Sequence, residues 1–374
     1  QETGADGKSG IWRESGWIAL LCLLTGLVHR HIILREAGHF RYFIRWDLWQ
    51  FMWPKLSFLT DCLRHGIWPM WNPYDFAGCP VIGNMQTMYF NPMILLYALS
   101  AGFSLAGLQV YLFLLYIFGA VCMYGLARTL KADRPVAVMF GLLFTVTGFA
   151  LGNAQHLPQL QMFFTEPLTL ALIVRYAARP CAARLGAAVL GIALLISCGY
   201  PSMLGHFMLF NALFACWILA RGGSLSGARD PFVPSNTNVV RLAFARVVAM
   251  NAMAILIMSA LLVPAILSLP HITRGEGVSY EVFTSRSLSP PYLLSMFSPF
   301  TGAIHFNGTT DDISLRNCTI GLPTIILLLA ALTKPKRNIF PVPIYRGDVL
   351  AGQARHLARM RRDDDPRLRV PDRV

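Results

Sequence analysis

Charge is scarce in this 374-residue chain: 14% of the residues are charged, and acids are the rarer sign, 19 against 32 basic residues. With 55% hydrophobic residues and a mean hydropathy of +0.50, that scarcity lies outside the soluble range and indicates a multi-span membrane protein. The eight cysteines include no C-x-x-C pair and no metal-ligand spacing. Cys22, Cys122, Cys198 and Cys216 fall in apolar runs, where cysteine acts as a small buried hydrophobe. Cys62 and Cys79 could pair if their segment faces an oxidising space. No repeat of short fixed period is present. Gln1 to Gly16 do not form the n-region of a cleaved signal peptide. A net charge of +13 would point to nucleic acid in a soluble domain. Here the basic residues cluster between apolar runs, as membrane topology requires, and no nucleic-acid partner is expected.

An α-helix needs about 20 apolar residues to cross the hydrocarbon. Such runs occur at 17–34, 105–127, 135–153, 158–175, 184–200, 202–220, 242–267 and 318–333. They predict an all-α polytopic membrane protein with about eight transmembrane helices. His29-Arg30-His31 interrupts the first run. Basic residues alternate with the spans: Arg128, Lys131 and Arg134; Arg175, Arg179 and Arg184; Arg221, Arg229, Arg241 and Arg246; Lys334, Lys336 and Arg337. The positive-inside rule makes these turns and the N-terminal segment 1–16 cytoplasmic, and it puts 35–104 and 268–317 outside. Arg30, Arg35, Arg41 and Arg45 run against that pattern. They either snorkel to lipid phosphates or meet an anionic substrate group. The organisation is then a cytoplasmic segment 1–16, a transmembrane domain 17–333, and a basic tail 334–374. The tail contains Arg361-Arg362-Asp363-Asp364-Asp365 without apolar period and reads as a disordered cytoplasmic segment.

The first outer loop carries the chemistry. From Leu48 to His65 apolar residues recur at 48, 51, 52, 56, 59 and 63, a single helical stripe that suits a helix lying flat in the membrane interface. Gly66 ends it as a C′ glycine does. Asp47 sits at its start, where a carboxylate either caps the helix or faces a substrate arriving from the lipid. Trp68-Pro69-Met70-Trp71-Asn72-Pro73-Tyr74 follows, with two prolines that exclude helix. Its aromatics serve as a lipid anchor or as a sugar-stacking surface, and Asn84 and Gln86 add neutral hydrogen-bonding groups.

The order Asp47, Gly66-x-Trp68-Pro69-x-Trp71-Asn72-Pro73-Tyr74, Gly78-x-Pro80, Gln86 and Phe90-x-Pro92 resembles the bacterial YfhO family. Gly148-Phe149, His156, Pro167, Gly199-Tyr200-Pro201, Pro264 through Arg274, Ser287-Leu288-x-Pro290 and Phe297-x-Pro299 extend the resemblance over roughly residues 17–333. It implies a GT-C-type glycosyltransferase in the bacterial cytoplasmic (inner) membrane. Such an enzyme moves a sugar from a polyprenyl-phosphate donor to an extracytoplasmic acceptor, such as an envelope glycan or lipid. Asp47 matches the family's usual catalytic carboxylate. Arg45, Trp71, Asn72, Tyr74, Gln86, His156 and Arg274 are the substrate-contact candidates, with Arg41 and Arg286 as further phosphate partners. No metal ligand set is assigned; a divalent cation stays open as an aid to the leaving phosphate. Family members are commonly longer, so the chain reads as truncated at its C-terminus.

Glu166 lies in the middle of the fourth span, where an acid is a functional candidate by default, while Pro167 beside it offers a local structural reason. His206 is expected to hydrogen-bond to a neighbouring helix. Asp311-Asp312 reads as solvated, and the sequons at Asn307 and Asn317 as chance matches. The competing function is a transporter or lipid-handling protein without catalysis, in which Glu166, His206 and the broken first span mark a permeation route. Such a protein should show two related halves and short outer loops, which this sequence does not.

Overall fold

The computed structural model describes residues 3–36, 39–40, 44, 46–220, 237–272, 277, 279–284, 290–298, 317–320, 324–326 and 329–330. The fold is mostly helical. Its elements in chain order are α1 (Thr3–Val28), the two-residue strands β1 (Arg35–Glu36) and β2 (His39–Phe40), α2 (Trp53–Arg64), β3 (Trp71–Asn72), β4 (Cys79–Pro80), α3 (Pro92–Ser100), α4 (Leu105–Thr129), α5 (Arg134–Thr145), α6 (Gly148–Gly152), α7 (Leu157–Ala178), α8 (Ala182–Ser197), α9 (Pro201–Ala220), α10 (Thr237–Ile257), α11 (Ser259–Leu267) and α12 (Tyr280–Thr284).

Among the described residues, five helical stretches are long and apolar enough to cross a membrane: 105–129, 134–152, 157–178, 201–220 and 238–257. They mark the chain as a membrane-embedded protein. The run at 184–200 forms the shorter helix α8, and the run at 17–34 forms the end of α1 and a 3-10 turn at Arg30–Ile32. The run at 318–333 lies largely outside the described residues. The third span is broken, because Thr147 accepts the Ala150 N–H and starts α6 afresh.

α4 packs on α5 and α7, α7 on α8 and α9, and α10 on α8 and α9. Gly119 of α4 sits where a Cβ would fall 2.4 Å from the Phe164 ring of α7. That lack of a side chain brings the two helices into close approach, as small residues do between membrane helices. α1 runs along the α4–α5 pair. Midway along it Glu14 meets Arg128 and Arg134, and just past its end His29 stacks on Tyr116 and bonds to Thr145. Those contacts lie roughly 20 Å apart along the helix axis.

Tyr111 near the start of α4 meets Gln161 near the start of α7, and Thr129 at the end of α4 meets Arg175 near the end of α7, so these two spans run parallel and the bundle has two distinct ends. Arg128 and Arg134 bond to Glu14, Arg175 to Thr129, and Arg184 to the Arg175 and Arg179 carbonyls, which gathers these basic residues and Lys131 at one end. The segment 46–104 covers the other, and three buried contacts hold it there. Asn91 caps α3 through Oδ1, which accepts from the Met93 and Ile94 N–H groups. The same oxygen accepts from Gln161 of α7, while Asn91 Nδ2 donates to Ser197 of α8. Gln161 in turn accepts from Tyr111 of α4 at 2.7 Å. Gly199, at φ +75°, lets the turn before α9 lie so close to Met85 that a Cβ would meet its carbonyl oxygen at 2.0 Å. This is the turn expected at Gly199-Tyr200-Pro201.

Candidate functional site

The segment from Leu48 to Arg64 is helical throughout, with a wide turn of π geometry at Leu48–Met52 before α2. Leu48, Met52, Leu56 and Leu59 are fully buried, the stripe read from the sequence, and Gly66 ends the helix with φ +69°. Lys55, on the same helix, is buried and paired with Asp75, with its ammonium 4.3 Å from the Phe51 ring centre. The Lys55 carbonyl also accepts the Tyr89 hydroxyl at 2.6 Å. This pair pins the β3–β4 ribbon to α2; its members stand 20 residues apart, so no local pattern announces it.

Asp47 does not cap. Its backbone is helical, φ −54° and ψ −33°, and its side chain makes no cap hydrogen bond. A capping residue needs extended backbone to turn its side chain onto the first N–H groups. Here the Trp46 carbonyl instead receives the Trp49 and Gln50 N–H groups. Trp46 itself is in the left-handed region, φ 66°, which is strained for a bulky residue and sets the direction in which Asp47 leaves the chain.

The Asp47 carboxylate lies 3.1 Å from His156 Nδ1, with 58% of the Asp47 side chain exposed against 18% of His156. His156 stands immediately before α7, where it too makes no cap hydrogen bond. Its Nε2 lies 3.2 Å from Gln155 Nε2. An amide nitrogen can only donate, so Nε2 accepts. Neutral His156 then carries its hydrogen on Nδ1 and donates it to Asp47. The arrangement is an exposed carboxylate oriented by a half-buried imidazole, itself oriented by an amide. It can take a proton from a hydroxyl that approaches Asp47.

The other candidates separate. Trp71 and Tyr74 are exposed, at 56% and 87%. Tyr74 meets Phe58 edge-on at 6.0 Å and lines an open groove of about 460 Å³ beside α2, with Trp53, Asp61 and Arg64. Asp47 and His156 do not line that groove. Asn72 is 5% exposed, and its Oδ1 accepts the Tyr74 N–H, so that oxygen shapes the turn. Gln86 is half-buried in a 3-10 turn started by Asn84. Arg45 and Arg274, like Arg41, Arg286 and Asp311-Asp312, lie outside the described residues. His206 is a correction. It is exposed, and its Nδ1 bonds to the Ser202 carbonyl one turn back in α9 at 2.7 Å, not to another helix. The i−4 carbonyl is already in reach of a side chain on the same helix face.

Cys62 and Cys79 are both free thiols. Burial, with Asp61 beside Cys62 and Asp75 beside Cys79, pushes both thiols up and away from the thiolate. Among the described residues no group of His, Cys, Asp or Glu is placed to hold a metal ion. The sequence singled out Asp47 and His156 separately but missed Gln155, whose one signal is its place beside His156.

No protein-family model, curated protein or solved structure matches the chain.

Proposed function

We propose that the chain is a membrane glycosyltransferase of the GT-C type, with Asp47 as general base. The observation that supports it most is the Asp47–His156 pair. A carboxylate released from helix capping, more than half exposed, and held by a histidine from the start of α7 is arranged for proton abstraction. The resemblance to the YfhO family supports the same residue, since it implies a catalytic carboxylate in the first outer loop.

The reaction needs little from the protein beyond position and a base. The acceptor hydroxyl gives its proton to Asp47, its oxygen bonds to the sugar's anomeric carbon, and the bond from that carbon to the lipid phosphate breaks with its electrons going to the phosphate. A general base contributes roughly 10²–10⁴-fold to such a step. His156 keeps the Asp47 oxygen aimed. Arg45, or one of Arg41, Arg274 and Arg286, would meet the departing phosphate. The exposed faces of Trp71 and Tyr74 suit a sugar ring. In this reading the bundle has about eight spans, α1 among them. The segment 46–104 faces outward from the bacterial inner membrane, and the basic end with the N-terminus faces the cytoplasm.

The test is transfer of labelled sugar from a panel of polyprenyl-phosphate sugars by membranes carrying wild-type protein or Asp47→Asn. Asp47→Asn should abolish transfer at unchanged expression and melting temperature. Retained transfer removes Asp47 from the base role.

A further inference from the structure

Glu166 lies near the middle of α7, 7% exposed, and Asn211 of α9 faces it, 1% exposed. Asn211 Nδ2 donates to Glu166 Oε2 at 3.1 Å. The other two polar atoms, Glu166 Oε1 and Asn211 Oδ1, are buried without a hydrogen-bond partner. Both are acceptors when the carboxyl is ionised, so they cannot bond to each other. Two adjacent orphaned acceptors and a buried charge make the ionised form costly in an apolar bundle. One proton removes all three faults. A carboxylic acid and a primary amide are planar groups of the same outline. With N–H donating to one carboxyl oxygen, the acid O–H donates to the amide oxygen and closes a ring of two hydrogen bonds.

We propose that Glu166 and Asn211 form a proton-binding site between α7 and α9, in which one bound proton bridges Glu166 Oε1 and Asn211 Oδ1. The proton comes from solvent and returns to it; no other bond is made or broken. Loading clasps α7 to α9. Unloading leaves a charge and two unpaired acceptors between them, which favours separation of the helices. Cys122 of α4 and Cys216 of α9 lie on elements packed against α7, as do Tyr124, Arg128 and Arg184, which bond to Glu14 and to the Arg175 carbonyl; none of these is recorded bonding to Glu166. Tyr111 and Tyr116 of α4 bond to Gln161 and to the Ala150 carbonyl. Cys198 beyond α8 contacts Asn91 and Thr165, and His206 of α9 bonds to Ser202. The site stands apart from Asp47, and its fate is independent of the glycosyltransferase reading.

Infrared spectroscopy of the full chain in lipid vesicles at neutral pH tests this. Wild-type protein should show a protonated-carboxyl C=O band that Glu166→Gln lacks. Asn211→Leu should keep that band and shift it to higher frequency, because the acid loses its amide partner. Glu166→Gln should also melt near wild type, since a second amide can close the same ring, whereas Glu166→Ala should melt lower. A Glu166→Gln spectrum that loses carboxylate bands and no protonated-carboxyl band would overturn the proposal. If Glu166→Gln does not fold, Asn211→Leu decides alone: an unchanged carboxyl band overturns it equally.

Discussion

Glu14 offers the most direct test of how the bundle is tied together. Its Oε1 receives Arg128 Nε at 2.8 Å and the Tyr124 hydroxyl at 2.7 Å, and its Oε2 receives Arg134 Nε at 2.7 Å. The Arg128 hydrogen bond is the main reason its carboxyl titrates at about 2 instead of 4.5; partial burial opposes the drop, and Arg134 and Tyr124 add to it. The drop sets a ceiling of roughly 3 kcal/mol on what ionised Glu14 contributes. The side chain is 30% exposed, and solvent screening reduces that to about 1–2 kcal/mol. Glu14→Gln should therefore melt several degrees below wild type at pH 7. A folded-state value below the unfolded one makes this stability full above about 4.5, and it is lost as pH falls from there toward 2. The wild-type advantage over Glu14→Gln, measured by thermal unfolding in detergent, should stay constant from neutral pH down to the carboxylate range and shrink below it. Equal melting at neutral pH, or a gap that persists at the acid end, would refute the reasoning.

Other perturbations reach the remaining parts. Asn91→Leu strips two cap donors, Gln161 and Ser197 of a partner and should cost about 1–3 kcal/mol, read as a lower melting temperature with transfer lost in proportion to folded protein. Asp75→Asn leaves buried Lys55 without its counter-charge and should cost up to about 3 kcal/mol; limited proteolysis within 66–80 should accelerate, and an unchanged cleavage rate would show that the pair does not hold the β3–β4 ribbon. Gly199→Ala meets both a positive φ and the Met85 carbonyl, so it should destabilise by more than about 1 kcal/mol, while Gly205→Ala, with open space around it, should be near neutral in the same melt.

Much of the scaffold was legible because it depends on local pattern. The stripe from Leu48, the stop at Gly66 and five apolar helices follow from periodicity, φ preference and run length, while the turn at Gly199 was expected from the family resemblance. What stayed hidden depends on contacts between distant parts of the chain. Lys55 and Asp75 are 20 residues apart, and Asp47 and His156 are 109 apart; nothing in their spacing says that they meet. A partial signal existed for the second pair, since alternating helices return the start of α7 to the end of the bundle that holds 46–104. Asn72 shows a different limit. Asn-Pro-Tyr is a turn former first, and the side-chain oxygen that would greet a sugar is spent on the Tyr74 N–H.

The Glu14 clasp also bears on the order in which the bundle closes. Its carboxylate stands 114 residues from Arg128 and 120 from Arg134 along the chain, so the contact exists only once α4 and the start of α5 are in place. Closing so long a loop makes the clasp a late tie in folding and not its nucleus.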